Sequence, residues 1–180
     1  MVGTKGRQGK GFTLIELLIV IVIISLLAAL LLPALMKALC NSRQGAAASL
    51  INQLAQACKS YELDFAVYPP GKGNGSKDMA TYLSKKGAKQ LSYFEFNPEM
   101  LDNGNVINPV FGAEGEAPSN WVHYRNNIAG QTGGNRPTPG SSGPGGAPYV
   151  HVNSFDIWCA GCDFSGTPPP PTATYSVKYE

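Results

Sequence analysis

Lys10-Gly11-Phe12-Thr13-Leu14-Ile15-Glu16-Leu17-Leu18-Ile19-Val20 opens an apolar stretch that contains one carboxylate, Glu16. Behind Glu16, the 20 residues from Leu17 to Met36 carry no charge. A helix of that length spans ~30 Å, the thickness of a bilayer's hydrocarbon core. An acidic side chain at the centre of such a helix costs ~2.5–3.5 kcal/mol on insertion scales, and less toward the end. Glu16 therefore either reaches back to water or meets a partner that offsets its burial.

Working outward, Lys5, Arg7 and Lys10 precede the apolar run. By the positive-inside rule they stay cytoplasmic, and the C-terminal part is exported. The formal net charge is +2, yet removing these three from the 14 basic residues leaves 11 against 12 acidic ones. The remainder is near neutral and offers no basic patch for nucleic acid.

Three kinds of N-terminal segment share such an outline. A cleaved secretory signal has a shorter apolar stretch followed by a small-residue cleavage site. Here the stretch is longer, carries Glu16 and lacks a clean A-x-A site. A lipoprotein signal needs a small residue before its cysteine, whereas Lys37-Ala38-Leu39-Cys40 places Leu39 there. The third kind is cut before the apolar segment, between Gly11 and Phe12, and keeps that segment as an anchor.

Lys10-Gly11-Phe12-Thr13-Leu14-Ile15-Glu16 resembles the class III signal of type IV pilins and type II secretion pseudopilins. The resemblance covers about residues 5–65. It implies that a prepilin peptidase cuts after Gly11 and methylates the new N-terminus, Phe12. It makes Glu16 the family glutamate and places Pro33 where many members carry a helix-breaking proline. Removing the leader creates an amino group at Phe12, four residues from Glu16. The two charges could pair within one helix or between neighbouring subunits. Between subunits the pairing would fix register, because an unpaired charge among apolar helices is penalised. Pro33 removes the bond its N–H would make to the Ala29 carbonyl. It is either an ordinary membrane-helix kink or a hinge for filament packing.

Past the apolar run, Leu39, Ala46, Leu50, Leu54, Cys58, Tyr61 and Phe65 recur at spacings of one helix face. Tyr68-Pro69-Pro70-Gly71 ends that pattern. A single helix from about Phe12 to Phe65 would be ~80 Å long. Cys58, on the apolar stripe, reads as a small core residue. Asp78 to Leu83 suggests a short second helix capped by Ser76 or Asp78. Strand candidates are Trp121–Arg125, Tyr149–Val152 and Thr174–Tyr179. Gly130 to Pro148 reads as a long loop, and Pro168 to Pro171 as a polyproline spacer.

The expected fold is α+β and type IV pilin-like: a long N-terminal transmembrane helix packed on a small antiparallel sheet with long loops. Its parts are a leader over 1–11, a membrane helix over 12–36, an exported continuation over 37–67 and a loop-rich domain over 68–180. Several segments are similar to those of the type II secretion major pseudopilin: Tyr68-Pro69-Pro70-Gly71-Lys72, Asn108-Pro109-Val110-Phe111-Gly112, Trp121 to Arg125, and Phe155 to Asp163. The resemblance implies a subunit of a pseudopilus. Its partners would be the prepilin peptidase, further copies of itself, an inner-membrane assembly platform and membrane lipid, with no nucleic acid. It places the chain in the bacterial inner membrane, single-pass, with its C-terminal domain periplasmic. The alternatives are a type IV pilin of an adhesion, motility or DNA-uptake pilus, and a membrane-anchored binding module.

Two site questions remain. The family's major pseudopilins bind calcium in a C-terminal loop, and Asp163 matches one aspartate of that loop. The second has no counterpart, and calcium prefers 6–8 oxygen ligands. Cys159-Ala160-Gly161-Cys162 is a C-x-x-C that could be a local disulfide, a pair of thiols or half a zinc site. In an exported domain the favoured reading is the Cys159–Cys162 disulfide. His123 and His151 read as polar-face or core histidines. No phosphate loop or hydrolase motif is present, and no enzymatic activity is expected.

Overall fold

The computed structural model describes residues 12–84, 92–112, 120–128 and 154–161. The chain divides into two compact units, Met1–Leu39 and Cys40–Glu180. Helix α1 runs from Leu14 to Phe65, with Pro33 inside it. The fold is α+β and consistent with a type IV pilin-like architecture: a long N-terminal apolar helix together with small antiparallel sheets.

In the first unit, α1 is apolar and uncovered. Large side chains such as Ile24, Leu30 and Leu32 are more than half exposed. Ser25 returns its hydroxyl to the Ile21 carbonyl at 2.7 Å, which satisfies its one polar group within the helix. This is the only helix among the described residues long and apolar enough to cross a membrane.

In the second unit, the same helix becomes one-sided. Ala47, Leu50, Ile51, Leu54, Ala55, Cys58 and Tyr61 turn inward, at the i, i+3, i+4 spacing of a core-facing stripe. Of the stripe legible in the sequence, Leu50, Leu54, Cys58 and Tyr61 are buried, whereas Leu39, Ala46 and Phe65 are exposed; Ala47, Ile51, Ala55 and Ala57 complete the buried face. After Phe65, Ala66 takes a positive φ of 57°, the left-handed turn that commonly stops a helix.

Helix α2 spans Lys77–Ser84 and buries Met79, Ala80 and Leu83. Its N-terminus differs from the expectation. The Asn105 side-chain oxygen accepts from the amides of Ser76 and Lys77, at 2.9 and 3.0 Å. The Ser76 hydroxyl instead accepts from the Val106 amide at 2.8 Å. The cap thus comes from a residue distant in sequence.

Strands β1 (Leu101–Asp102) and β2 (Asn105–Val106) form an antiparallel hairpin. Asn103 and Gly104 turn it, with φ of 49° and 83°. Two consecutive positive φ values are the mark of a type I′ turn, which favours Asn-Gly. Strands β3 (Val122–Asn126) and β4 (Phe155–Cys159) pair antiparallel, with Tyr124 opposite Ile157. The other edge of β3 is lined by Gly71–Gly75: Tyr124 N–H donates to the Gly75 carbonyl, Gly73 N–H to the Tyr124 carbonyl, and Asn126 N–H to the Gly71 carbonyl. β3 is therefore central and buried on both faces. It lies one residue later than the Trp121–Arg125 stretch, with Trp121 in an isolated bridge to Ile107. The candidates Tyr149–Val152 and Thr174–Tyr179, and the loop and spacer segments, lie outside the described residues.

Gly75 sits at the junction of these parts. Its φ is +108°, and an added Cβ would lie 2.3 Å from Asn105 Oδ1, the oxygen that caps α2. Gly75→Ala would impose strain and displace the cap together. We expect it to lower stability by about 2–3 kcal/mol, read as a fall in the thermal midpoint of the detergent-solubilised chain.

Candidate functional site

Glu16 lies in the first turn of α1. Its Oε2 accepts from Thr13 N–H at 2.9 Å and from the Thr13 hydroxyl at 2.7 Å. The Glu16 amide donates in return to Thr13 Oγ1 at 3.4 Å. This reciprocal arrangement is a capping box: the residue before the helix and the third residue within it satisfy each other's donors. Four amides at a helix start have no partner inside the helix, and in lipid each such group is costly. Thr13 and Glu16 remove part of that cost and hold the carboxylate against the helix end.

The sequence reading placed Phe12, not Thr13, as the partner of Glu16. In the unprocessed chain the Phe12 nitrogen is a peptide amide and carries no charge. The structure thus shows Glu16 before any amine exists. Among the described residues it has no cationic partner, and Oε1 remains available to one. Phe12 is 81% exposed. Thr13 was missed as a functional residue, although Thr13-x-x-Glu16 is the written signature of a capping box. Pro33 stays within α1. Gly11 lies outside the described residues.

The C-terminal candidates separate. Cys159 is a free, buried thiol at the end of β4. This corrects the expected Cys159–Cys162 disulfide: Cys159 faces Val122 across the sheet and packs as a small apolar core residue. Burial pushes its thiol up to about 12, so it is protonated and unreactive at neutral pH. Cys58 is also free and buried, and desolvation raises its thiol strongly. Cys40, in contrast, is disulfide-bonded. Cys162, Asp163 and His151 lie outside the described residues, and with Asp163 the calcium question. Among the described residues no group of three His, Cys, Asp or Glu side chains could hold a metal ion.

His123 is buried among core groups. Its Nδ1 lies 3.0 Å from the Gly75 amide and 3.1 Å from the Gly73 carbonyl. The Gly75 amide can only donate and the Gly73 carbonyl can only accept, so Nδ1 serves one of them in each tautomer. The ring stacks on Trp158, with centroids 5.5 Å apart. These contacts brace the Gly71–Gly75 segment.

Residues 12–36 thus present an exposed apolar helix with a single carboxylate in its first turn. Residues 6–32 match the model of the prokaryotic N-terminal methylation motif. This match supports a type IV pilin-like prepilin family. It implies processing by a prepilin peptidase and pilus assembly, and it fits a membrane-anchored, single-pass chain. No curated protein and no solved structure matches the chain.

Proposed function

We propose that this chain is the structural subunit of a pseudopilus filament in a type II secretion-like system. The peptidase cuts between Gly11 and Phe12 and methylates Phe12. The C-terminal unit is exported to the periplasm, and α1 holds the subunit in the inner membrane until an assembly platform extracts it. Subunits then pack through their N-terminal helices. The observation that carries this reading is Glu16, alone in a helix otherwise uncharged from Leu14 to Met36 and fully uncovered there. In a plain tether that carboxylate would serve only the capping box with Thr13. In a filament it meets the Phe12 amine, where desolvation makes a correctly paired neighbour strongly preferred over a shifted one.

Favouring the pseudopilus over an adhesive pilus are the Tyr68–Lys72 and Phe155–Asp163 segments. Within the described residues, Gly71–Lys72 sit against β3 and Phe155–Cys159 form its partner strand β4. Tyr124 donates its hydroxyl to the Pro69 carbonyl at 2.8 Å, and Tyr68 meets Phe155 with ring centroids 4.9 Å apart. The test is co-production with a type II secretion machinery lacking its own major pseudopilin. Sheared filaments containing this chain support the reading. Filaments formed only with a type IV pilus platform would assign it to a pilus.

A further inference from the structure

We propose that Asn103 is a self-modifying site: its side chain condenses with the Gly104 amide, and hydrolysis of the resulting imide leaves aspartate or isoaspartate at the tip of the β1–β2 hairpin. The sequence contains two Asn-Gly pairs, Asn74-Gly75 and Asn103-Gly104. Glycine hinders attack of its own amide nitrogen on the preceding side chain least, because it carries no Cβ. The fold treats the two pairs in opposite ways.

Asn74-Gly75 is clamped. In the imide, Asn74 Cγ would take the place of the Gly75 amide proton. That direction is filled by the buried His123 ring, whose Nδ1 lies 3.0 Å from the Gly75 nitrogen. On both sides β3 holds the backbone. Gly73 N–H donates to the Tyr124 carbonyl at 2.9 Å, and Tyr124 N–H donates to the Gly75 carbonyl at 3.0 Å. Asn103-Gly104, in contrast, is open. Asn103 is exposed, and among the described residues no hydrogen bond reaches the Gly104 amide. The turn is closed by strands of two residues each, so opening it locally breaks few bonds.

The reaction balances with water as the only co-reactant. The Gly104 nitrogen gives its proton to solvent base and bonds to Asn103 Cγ. The Cγ–Nδ2 bond breaks, and Nδ2 takes up a proton and leaves as ammonia. Water then adds to one of the imide carbonyls. Breaking the bond from nitrogen to Cγ gives aspartate. Breaking the bond from nitrogen to the backbone carbon gives isoaspartate, in which the chain runs through Cβ and gains one atom. That atom matters because a two-residue type I′ turn matches the twist of its strands only at that length. Asn105 follows the turn directly, opposite Asp102. Its Oδ1 caps α2, 2.9 and 3.0 Å from the Ser76 and Lys77 amides. Isoaspartate at the tip shifts this register and draws the cap away. The new carboxylate also sits beside Asp102, whose Oδ2 accepts from Trp121 Nε1 at 2.8 Å. Conversion thus weakens the second unit as the subunit ages.

The test is peptide mapping of the full detergent-solubilised chain during incubation in mildly alkaline buffer, both folded and in denaturant. Fragmentation that distinguishes aspartate from isoaspartate reads the products. In denaturant both pairs should convert at similar rates. In the folded chain Asn103 should yield both acids, with Asn74 slower by about tenfold or more. Equal folded rates at the two sites, or an unconverted Asn103, would overturn the proposal. Gly104→Ala should slow conversion at position 103 by about tenfold; an unchanged rate would refute the condensation. Folded chain enriched in isoaspartate should melt about 4 °C lower than fresh chain. Asn103→Asp, which adds the charge and no backbone atom, should melt with the parent. An isoaspartate form that melts with the parent would overturn the loss of the cap.

Discussion

Replacing Glu16 with Ala is expected to leave leader removal largely intact and to reduce filament yield about a hundredfold. On the proposed function, leader removal reads Gly11 and Phe12, which the substitution does not touch. On the same proposal, assembly reads the pairing of Glu16 with the Phe12 amine of a neighbour. Removing one member of a desolvated pair leaves the other charge uncompensated, a cost of about 3–5 kcal/mol, or more than two decades in an equilibrium constant. Glu16→Gln separates two roles of the same side chain. Glutamine can still accept from Thr13 in the capping box, but it carries no charge. On the pairing account Glu16→Gln assembles as poorly as Glu16→Ala. Filament yield restored by Gln would assign the role to the cap instead. Yields are read by immunoblot of sheared fractions, with the mature N-terminus checked in parallel.

Tyr124→Ala is expected to destabilise the second unit by about 3–5 kcal/mol, enough to unfold many domains of this size. Tyr124 is fully buried at the centre of β3. Its hydroxyl donates to the Pro69 carbonyl at 2.8 Å, and its ring fills the space a side chain at Gly71 would need. Burial holds its phenol well above the usual range, with nearby Cys58 adding to the shift. Tyr124→Phe keeps the ring and loses only the hydrogen bond, leaving the Pro69 carbonyl without that donor. Its expected cost is about 1–3 kcal/mol. Thermal midpoints of the solubilised chain measure both. Equal losses for Phe and Ala would mean that the hydroxyl, not the packing, dominates. Cleavage should proceed in both variants, because the leader lies in the other unit.

Much of this architecture is legible in the residues. The uncharged run after Glu16 and the inward stripe from Leu50 to Tyr61 repeat often enough to specify α1, and Asp78 to Leu83 specifies α2 to within a residue at each end. The strands were harder for identifiable reasons. β4, Phe155-Asp156-Ile157-Trp158-Cys159, is buried along its whole length, so it lacks the alternation that marks a half-exposed strand. β1 and β2 are two residues each, too short for any period, although the Asn103-Gly104 turn between them is a strong local signal.

At the site, local chemistry was readable and non-local chemistry was not. The Thr13–Glu16 box is written in four consecutive positions. The α2 cap comes from Asn105, 28 residues beyond Lys77. The C-x-x-C at 159–162 suggested a bond between near neighbours, but strand β4 sends Cys159 into the core. Contacts of this kind follow from how the sheet packs on α1, which no window of sequence contains.

Intact mass and N-terminal fragmentation of the chain extracted from membranes test the central claim most directly. The account predicts a mature chain that begins at Phe12, with one methyl group on its α-amine. A chain that still begins at Met1, or one cut after the apolar segment beyond Met36, would contradict it.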